Sequence, residues 1–170
     1  TMAGWAIEEA VKRSGVDPEK VDDVIMGAAL QQGTQHCNVA RNSALAAGLP
    51  VTVSGMTLDR QCSSGMMAIA TAAKQIISDG MDVAVGGGLD SISLVQTEKM
   101  NLDRWVDKKL IEKHKHIYMP MLKTAEVVAN RYNISRESQD EYSLQSQLRT
   151  AKAQQEGKFD EEIVSVTTTM

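Results

Sequence analysis

Residues 51–88 alternate an extended apolar run, a helix that is apolar on every side and a second extended run. Val51-Thr52-Val53-Ser54-Gly55-Met56-Thr57-Leu58 reads as a strand. Beyond Cys62, the residues Met66, Met67, Ala68, Ile69, Ala70, Ala72, Ala73, Ile76 and Ile77 cover nearly the whole circumference of a helix. A helix with no polar face is expected to be buried between layers. Gly80 ends it, and Asp82-Val83-Ala84-Val85-Gly86-Gly87-Gly88 is a short strand closing on a glycine run. Strands separated by helices argue an α/β fold whose mostly parallel sheet is buried on both faces. Sites in such sheets lie at the carboxyl ends of strands. Cys62 and the Gly86 to Gly88 run both hold that kind of position.

Cys62 sits in Asp59-Arg60-Gln61-Cys62-Ser63-Ser64-Gly65, between the strand and the helix. A thiol at a helix start faces the positive end of the macrodipole, which favours the nucleophilic thiolate. Free amides of the first helical turn could hold a developing oxyanion. The competing reading is a small buried apolar residue, which free cysteines often are.

The rest of the chain fits the same class. Ala6, Ile7, Ala10 and Val11 form a helical stripe closed by Gly15, and Asp17-Pro18-Glu19 reads as an N-cap with proline at the first helical position. Val24-Ile25-Met26-Gly27-Ala28 suits a buried strand, and residues 38–47 form a helix ended by Gly48 and Pro50. A short helix is expected over residues 124–130. Ser135 caps a longer one reaching about Glu156, with Gly157 as its stop, and residues 163–167 form a last β-type run. The 170 residues suffice for one ordinary core. The net charge of −4 gives no bulk attraction to nucleic acid or anionic membrane, so neither is expected as a partner. No apolar run reaches the length of a membrane span. Two cysteines provide no disulfide framework, which fits a reducing compartment. Thr1-Met2-Ala3-Gly4-Trp5 leads straight into a helix, and the chain is expected to be cut from something longer at both ends.

Other constellations are set aside. Gly86-x-Gly88-x-x-Ser91 lacks the third glycine of a dinucleotide loop, and glycine runs also serve close backbone packing. His36, Cys37, His114 and His116 lack the spacing of a zinc site and read as solvated loop residues, so no metal is expected. Cys37 has no clear helix-start context. Ser63 and Ser64 lack a nucleophile elbow and are expected to cap the helix.

Four motifs in register carry a family resemblance: Asp59 to Gly65; Asp82-Val83-Ala84-Val85-Gly86-Gly87-Gly88-Leu89-Asp90-Ser91; Thr124-Ala125-Glu126; and Ile134-Ser135-Arg136-Glu137-Ser138-Gln139-Asp140, followed by Gly157-Lys158-Phe159-Asp160. Together they resemble the N-terminal half of a thiolase. The resemblance implies an acyltransferase that cleaves 3-ketoacyl-CoA with CoA, or condenses acetyl-CoA in reverse. Coenzyme A is then a substrate, and no cofactor is permanently bound. It implies that Cys62 is the catalytic nucleophile, forming an acyl thioester, and that Met121 binds substrate. It also implies a thiolase-type α/β domain over residues 1–91 and 158–170, with a largely helical loop-domain insertion over 92–157. A homodimer or homotetramer is implied for the full-length protein, in the cytoplasm if bacterial, with mitochondrion and peroxisome compatible. Leu122 stands where many members have glycine, Pro120 where some have histidine, and Asp90 where glutamate is commoner. None of the histidines has the context of the family's activating base, so little turnover is expected of these 170 residues alone. The alternative is a non-catalytic fragment or interaction module that keeps the fold.

Overall fold

A computed structural model describes residues 1–168. The chain divides into two compact units, one of residues 1–101 with the segment from Val164 onward, the other Leu102–Ile163.

The first unit is built on three parallel strands, β1 (Asp23–Gly27), β2 (Ser54–Leu58) and β3 (Ala84–Gly88), in the order β2-β1-β3. Asp23 pairs with Ser54 on one side and with Ala84 on the other, and the register runs unbroken to Gly27 opposite Leu58 and Gly88. All five β1 residues are buried. Their side chains alternate between two cores, as the pleat requires. Val24 and Met26 pack with Ile7 and Val11 of α1 (Met2–Ser14) and with Ala40 and Ala44 of α2 (Val39–Ala46). Ile25 faces the other way, onto Ala68 and Ala72 of α3 (Ser64–Lys74). A strand covered on both faces needs no polar alternation, which is why residues 24–28 read as one apolar run.

The caps follow local chemistry. Gly15 closes α1 at φ 70°, and the Asp17 carboxylate accepts the Glu19 amide ahead of a short 3-10 turn. Asn38 caps α2 through the Arg41 amide. α3 continues as one π turn, Gln75–Asp79, and stops at Gly80, φ 75°.

Four expectations are corrected. The buried stripe of α1 is Ala3, Gly4, Ile7 and Val11, and Ala6 and Ala10 are exposed; Gly4 turns toward the core because α2 approaches there, with Ala46 Cβ 2.9 Å from where a Cβ would stand. The strand expected over 51–58 begins only at Ser54, because Val53 N–H closes a turn onto Pro50 and leaves Val51 outside. α3 buries the face carrying Ser64, Ala68 and Ala72 and exposes Met66, Ile69, Ile76 and Ile77. Its apolarity on all sides therefore outruns the single sheet it packs on. Residues 163–167 form no strand: residues 164–167 lie beside Trp5, Glu8 and Glu9 on α1 and pair with neither outer strand of the sheet.

α4 (Ile92–Val95) follows β3 within the first unit. The second unit holds α5 (Lys108–Lys113), α6 (Met121–Tyr132) and α7 (Arg136–Gln155). α6 thus extends past the expected 124–130 at both ends. None of its three helices carries a fully buried residue. Local capping therefore matters more there than core burial. Ser135 Oγ accepts the Ser138 amide at 3.2 Å. The Glu137 carboxyl is held below its ordinary value by its own backbone amide and then by the Ser135 hydroxyl. Ser135→Ala is expected to lower α7 stability by about 1 kcal/mol, read as helical ellipticity on heating. A depressed carboxyl contributes fully above the ordinary carboxylate range. The Glu137 contribution should fade as pH falls through its lowered folded value, and this acid-dependent loss should shrink in Ser135→Ala.

Candidate active site

A row of small residues fixes where α3 meets the sheet. Gly27, Gly86 and Gly88 face it from β1 and β3. A Cβ on Gly27 would lie 2.1 Å from the backbone carbon of Ser64 and 2.4 Å from the Gly65 nitrogen. One on Gly86 would lie 2.8 Å from Ile69 Cα, and one on Gly88 3.0 Å from Gly65 Cα. The glycine run after β3 thus serves close backbone approach. The first turn of α3 rests directly on the carboxyl ends of β1 and β3, where sites in parallel sheets are found.

Cys62 lies in the turn that enters this helix, two residues before Ser64, and is exposed. Exposure removes the reading of Cys62 as a small buried apolar residue. The turn around it is tightly bonded. Asp59 Oδ1 accepts the Gln61 amide at 2.6 Å, an Asx turn. Gln61 takes a left-handed conformation, φ 49°, uncommon for a side-chain-bearing residue. Ser64, 3% exposed, accepts the Arg60 amide on its Oγ at 2.8 Å and donates to the Gln61 carbonyl at 2.6 Å. Ser63 donates to the Arg60 carbonyl at 2.9 Å, and Arg60 Nη1 reaches Met67 Sδ at 3.2 Å. Neither serine therefore caps α3 in the usual way: both hydroxyls turn back onto the loop carrying Cys62.

Cys37 stands immediately before Asn38, the N-cap of α2, so it does have a helix-start context. The short segment 37–38 is left-handed at both residues, a backbone state with no clear signature in the sequence. His36 and Cys37 are both exposed, as expected, and His36 Nδ1 contacts Cys37 Sγ. Asp90 has a role the sequence reading missed. Its carboxylate accepts the Ala29 and Leu30 amides and Gln35 Nε2 at 3.0 Å. Buried Gln35 also donates to the Leu30 carbonyl and accepts the Ser91 amide. The two side chains pin the loop leaving β1 to the loop leaving β3. Met121 opens α6 in the second unit and is 73% exposed. His114 ends α5 and His116 lies in the turn that follows, also in that unit. Among the described residues no cluster of three metal-ligating side chains occurs.

The family model for the thiolase N-terminal domain matches residues 1–170. A 3-ketoacyl-CoA thiolase of Bacillus subtilis is 42% identical over 169 residues, which cover 99% of this chain and 43% of that protein. An acetyl-CoA acetyltransferase of Cupriavidus necator is 39% identical, with 97% and 44% covered. The crystal structure of the Bacillus anthracis acetyl-CoA acetyltransferase superposes with a TM-score of 0.85 at 39% identity, covering 99% of this chain and 45% of that one. The chain thus spans less than half the length of these relatives. With a parallel sheet, a cysteine turn at its carboxyl end and a match along its full length, the chain belongs to the thiolase family.

Proposed function

We propose that this chain carries the acyl-accepting cysteine of a thiolase-type acyltransferase and that Cys62 is its nucleophile. The observation that carries the reading is an exposed thiol at the entry to α3, seated on the carboxyl ends of β1 and β3. The relatives' names, 3-ketoacyl-CoA thiolase and acetyl-CoA acetyltransferase, support acyl-CoA as the substrate class. In the forward half-reaction the Cys62 thiolate adds to a carbonyl carbon of the acyl-CoA. The oxyanion forms against the amides at the start of α3, where the helix dipole is positive. With a 3-ketoacyl-CoA the bond between α- and β-carbons then breaks, leaving the acyl group on Cys62 and, after protonation of the α-carbon, acetyl-CoA. With acetyl-CoA the C–S bond breaks and CoA departs as its thiolate. The thiol of a free CoA then adds to the thioester carbonyl, the bond from the acyl carbon to Cys62 sulfur breaks, and the acyl group leaves as acyl-CoA with Cys62 restored as its thiolate. Met121 is assigned to substrate binding through its match to the family motif.

The first unit's single histidine, His36, is engaged with Cys37. A nucleophile needs a base within hydrogen-bond reach to cycle. These 170 residues should therefore take up an acyl group stoichiometrically while thiolysing acetoacetyl-CoA with CoA at no sustained rate. The test is incubation with acetyl-CoA followed by peptide mass spectrometry. A hydroxylamine-labile acetyl group is expected on Cys62 and not on Cys37. An unmodified Cys62 would favour the non-catalytic module instead.

A further inference from the structure

We propose that Ser64 is a positioning residue for Cys62, its hydroxyl holding the turn in the one conformation that presents the thiol at the helix start. The inference rests on Cys62 being the nucleophile. Ser64 is almost wholly buried, yet its hydroxyl is not spent inside its own helix. It bonds two groups just before the cysteine, accepting from Arg60 N–H at 2.8 Å and donating to the Gln61 carbonyl at 2.6 Å. The same carbonyl also receives the Ser64 amide at 3.0 Å. A single residue thus clamps the peptide preceding Cys62 from two directions.

That clamp has something to hold. Gln61 sits at φ 49°, a state a glutamine leaves readily unless its surroundings fix it. Asp59 fixes the Gln61 amide side and Ser64 fixes its carbonyl side. The Ser64 backbone itself cannot retreat toward the sheet, because it rests on Gly27 with no room for even a methyl group. Without the hydroxyl, the Arg60 amide and one bond to the Gln61 carbonyl lose their partner. Gln61 can then relax to negative φ and swing Cys62 out of its place at the entry to α3.

The experiment uses the two cysteines of one chain as signal and reference. Both are exposed, and Cys37 lies outside the Ser64 network. Iodoacetamide alkylation of each is followed by mass spectrometry for the unaltered chain, Ser64→Ala, Ser64→Thr and Thr71→Ala. Thr71, half-buried, also carries a hydroxyl on α3, but bonds it to the Met67 carbonyl inside the helix. In Ser64→Ala the Cys62 rate should fall about tenfold relative to Cys37, as expected for a thiol whose turn no longer holds it in one exposed position at the helix start. Ser64→Thr should restore most of the ratio, and Thr71→Ala should leave it unchanged. An unaltered ratio in Ser64→Ala, an equal change in Thr71→Ala, or no rescue by threonine would each overturn the assignment. Alkylation needs no CoA, so the result stands apart from whether Cys62 takes an acyl group.

Discussion

Replacing Cys62 by serine is expected to lower the rate of acyl uptake from acetyl-CoA by at least about 10³-fold while leaving the fold intact. Two independent features of Cys62 lead to this result. A serine hydroxyl is far weaker than a thiol as a nucleophile unless a base takes its proton, and the only histidine of the first unit contacts Cys37. The side chain is also exposed and carries none of the bonds that shape its turn, which run through Asp59, Arg60, Gln61, Ser63 and Ser64. Its removal should therefore change stability by no more than a surface substitution does, within about 0.5 kcal/mol. Mass spectrometry of the acylated peptide and a melting curve on one sample read both parts. Acylation persisting in Cys62→Ser would move the nucleophile elsewhere, with Cys37 the first residue to check.

Gly27→Ala should behave in the opposite way, striking the fold and through it the site. The added methyl would meet the Ser64 backbone carbon at 2.1 Å and the Gly65 nitrogen at 2.4 Å. These are main-chain atoms at the start of a helix packed on the sheet, so no side chain can rotate aside. Either β1 shifts or α3 lifts. Overpacking of this kind is expected to cost about 3 kcal/mol or more. For a chain of this size that lowers the thermal midpoint by about 10 °C. Because the helix start carries the cysteine turn, the surviving folded protein should also take up acyl groups more slowly. A melting temperature equal to the unaltered chain's would show that the contact yields easily, and would remove Gly27 as the seat of the turn.

The sequence carried the elements better than their faces. Strands β1 and β3 and the caps at Gly15, Asp17, Ser135 and Gly157 were legible because each has a short-range cause, such as apolar runs, a left-handed glycine or an oxygen reaching an amide. The all-round apolarity of α3 was equally plain, but which face meets the sheet depends on the glycines of β1 and β3, residues remote in sequence. Cys62 was legible from its motif. Its support was not, because serines beside a helix start usually cap it, whereas Ser63 and Ser64 turn back onto the loop. The Asp59 turn could have been read from an aspartate two residues ahead of Gln61. The Asp90–Gln35 pair could not, since it joins residues 55 positions apart.

The placement of β1 at the centre of the sheet has a consequence for how the chain acquires its structure. Among the three described strands β1 precedes both of its partners in the chain, so its edges are filled only when the residues around Ser54 and then Ala84 follow. Both pairings close long loops before any ladder bond repays them, which makes parallel sheets slow to assemble. During that interval the apolar Val24-Ile25-Met26 of β1 waits with both edges unsatisfied, a natural target for chaperones and for association with other nascent chains. Gly27, on which the start of α3 later rests, belongs to this waiting strand and Gly88 to the last one, so the turn that carries Cys62 is seated only once β1 and β3 have paired.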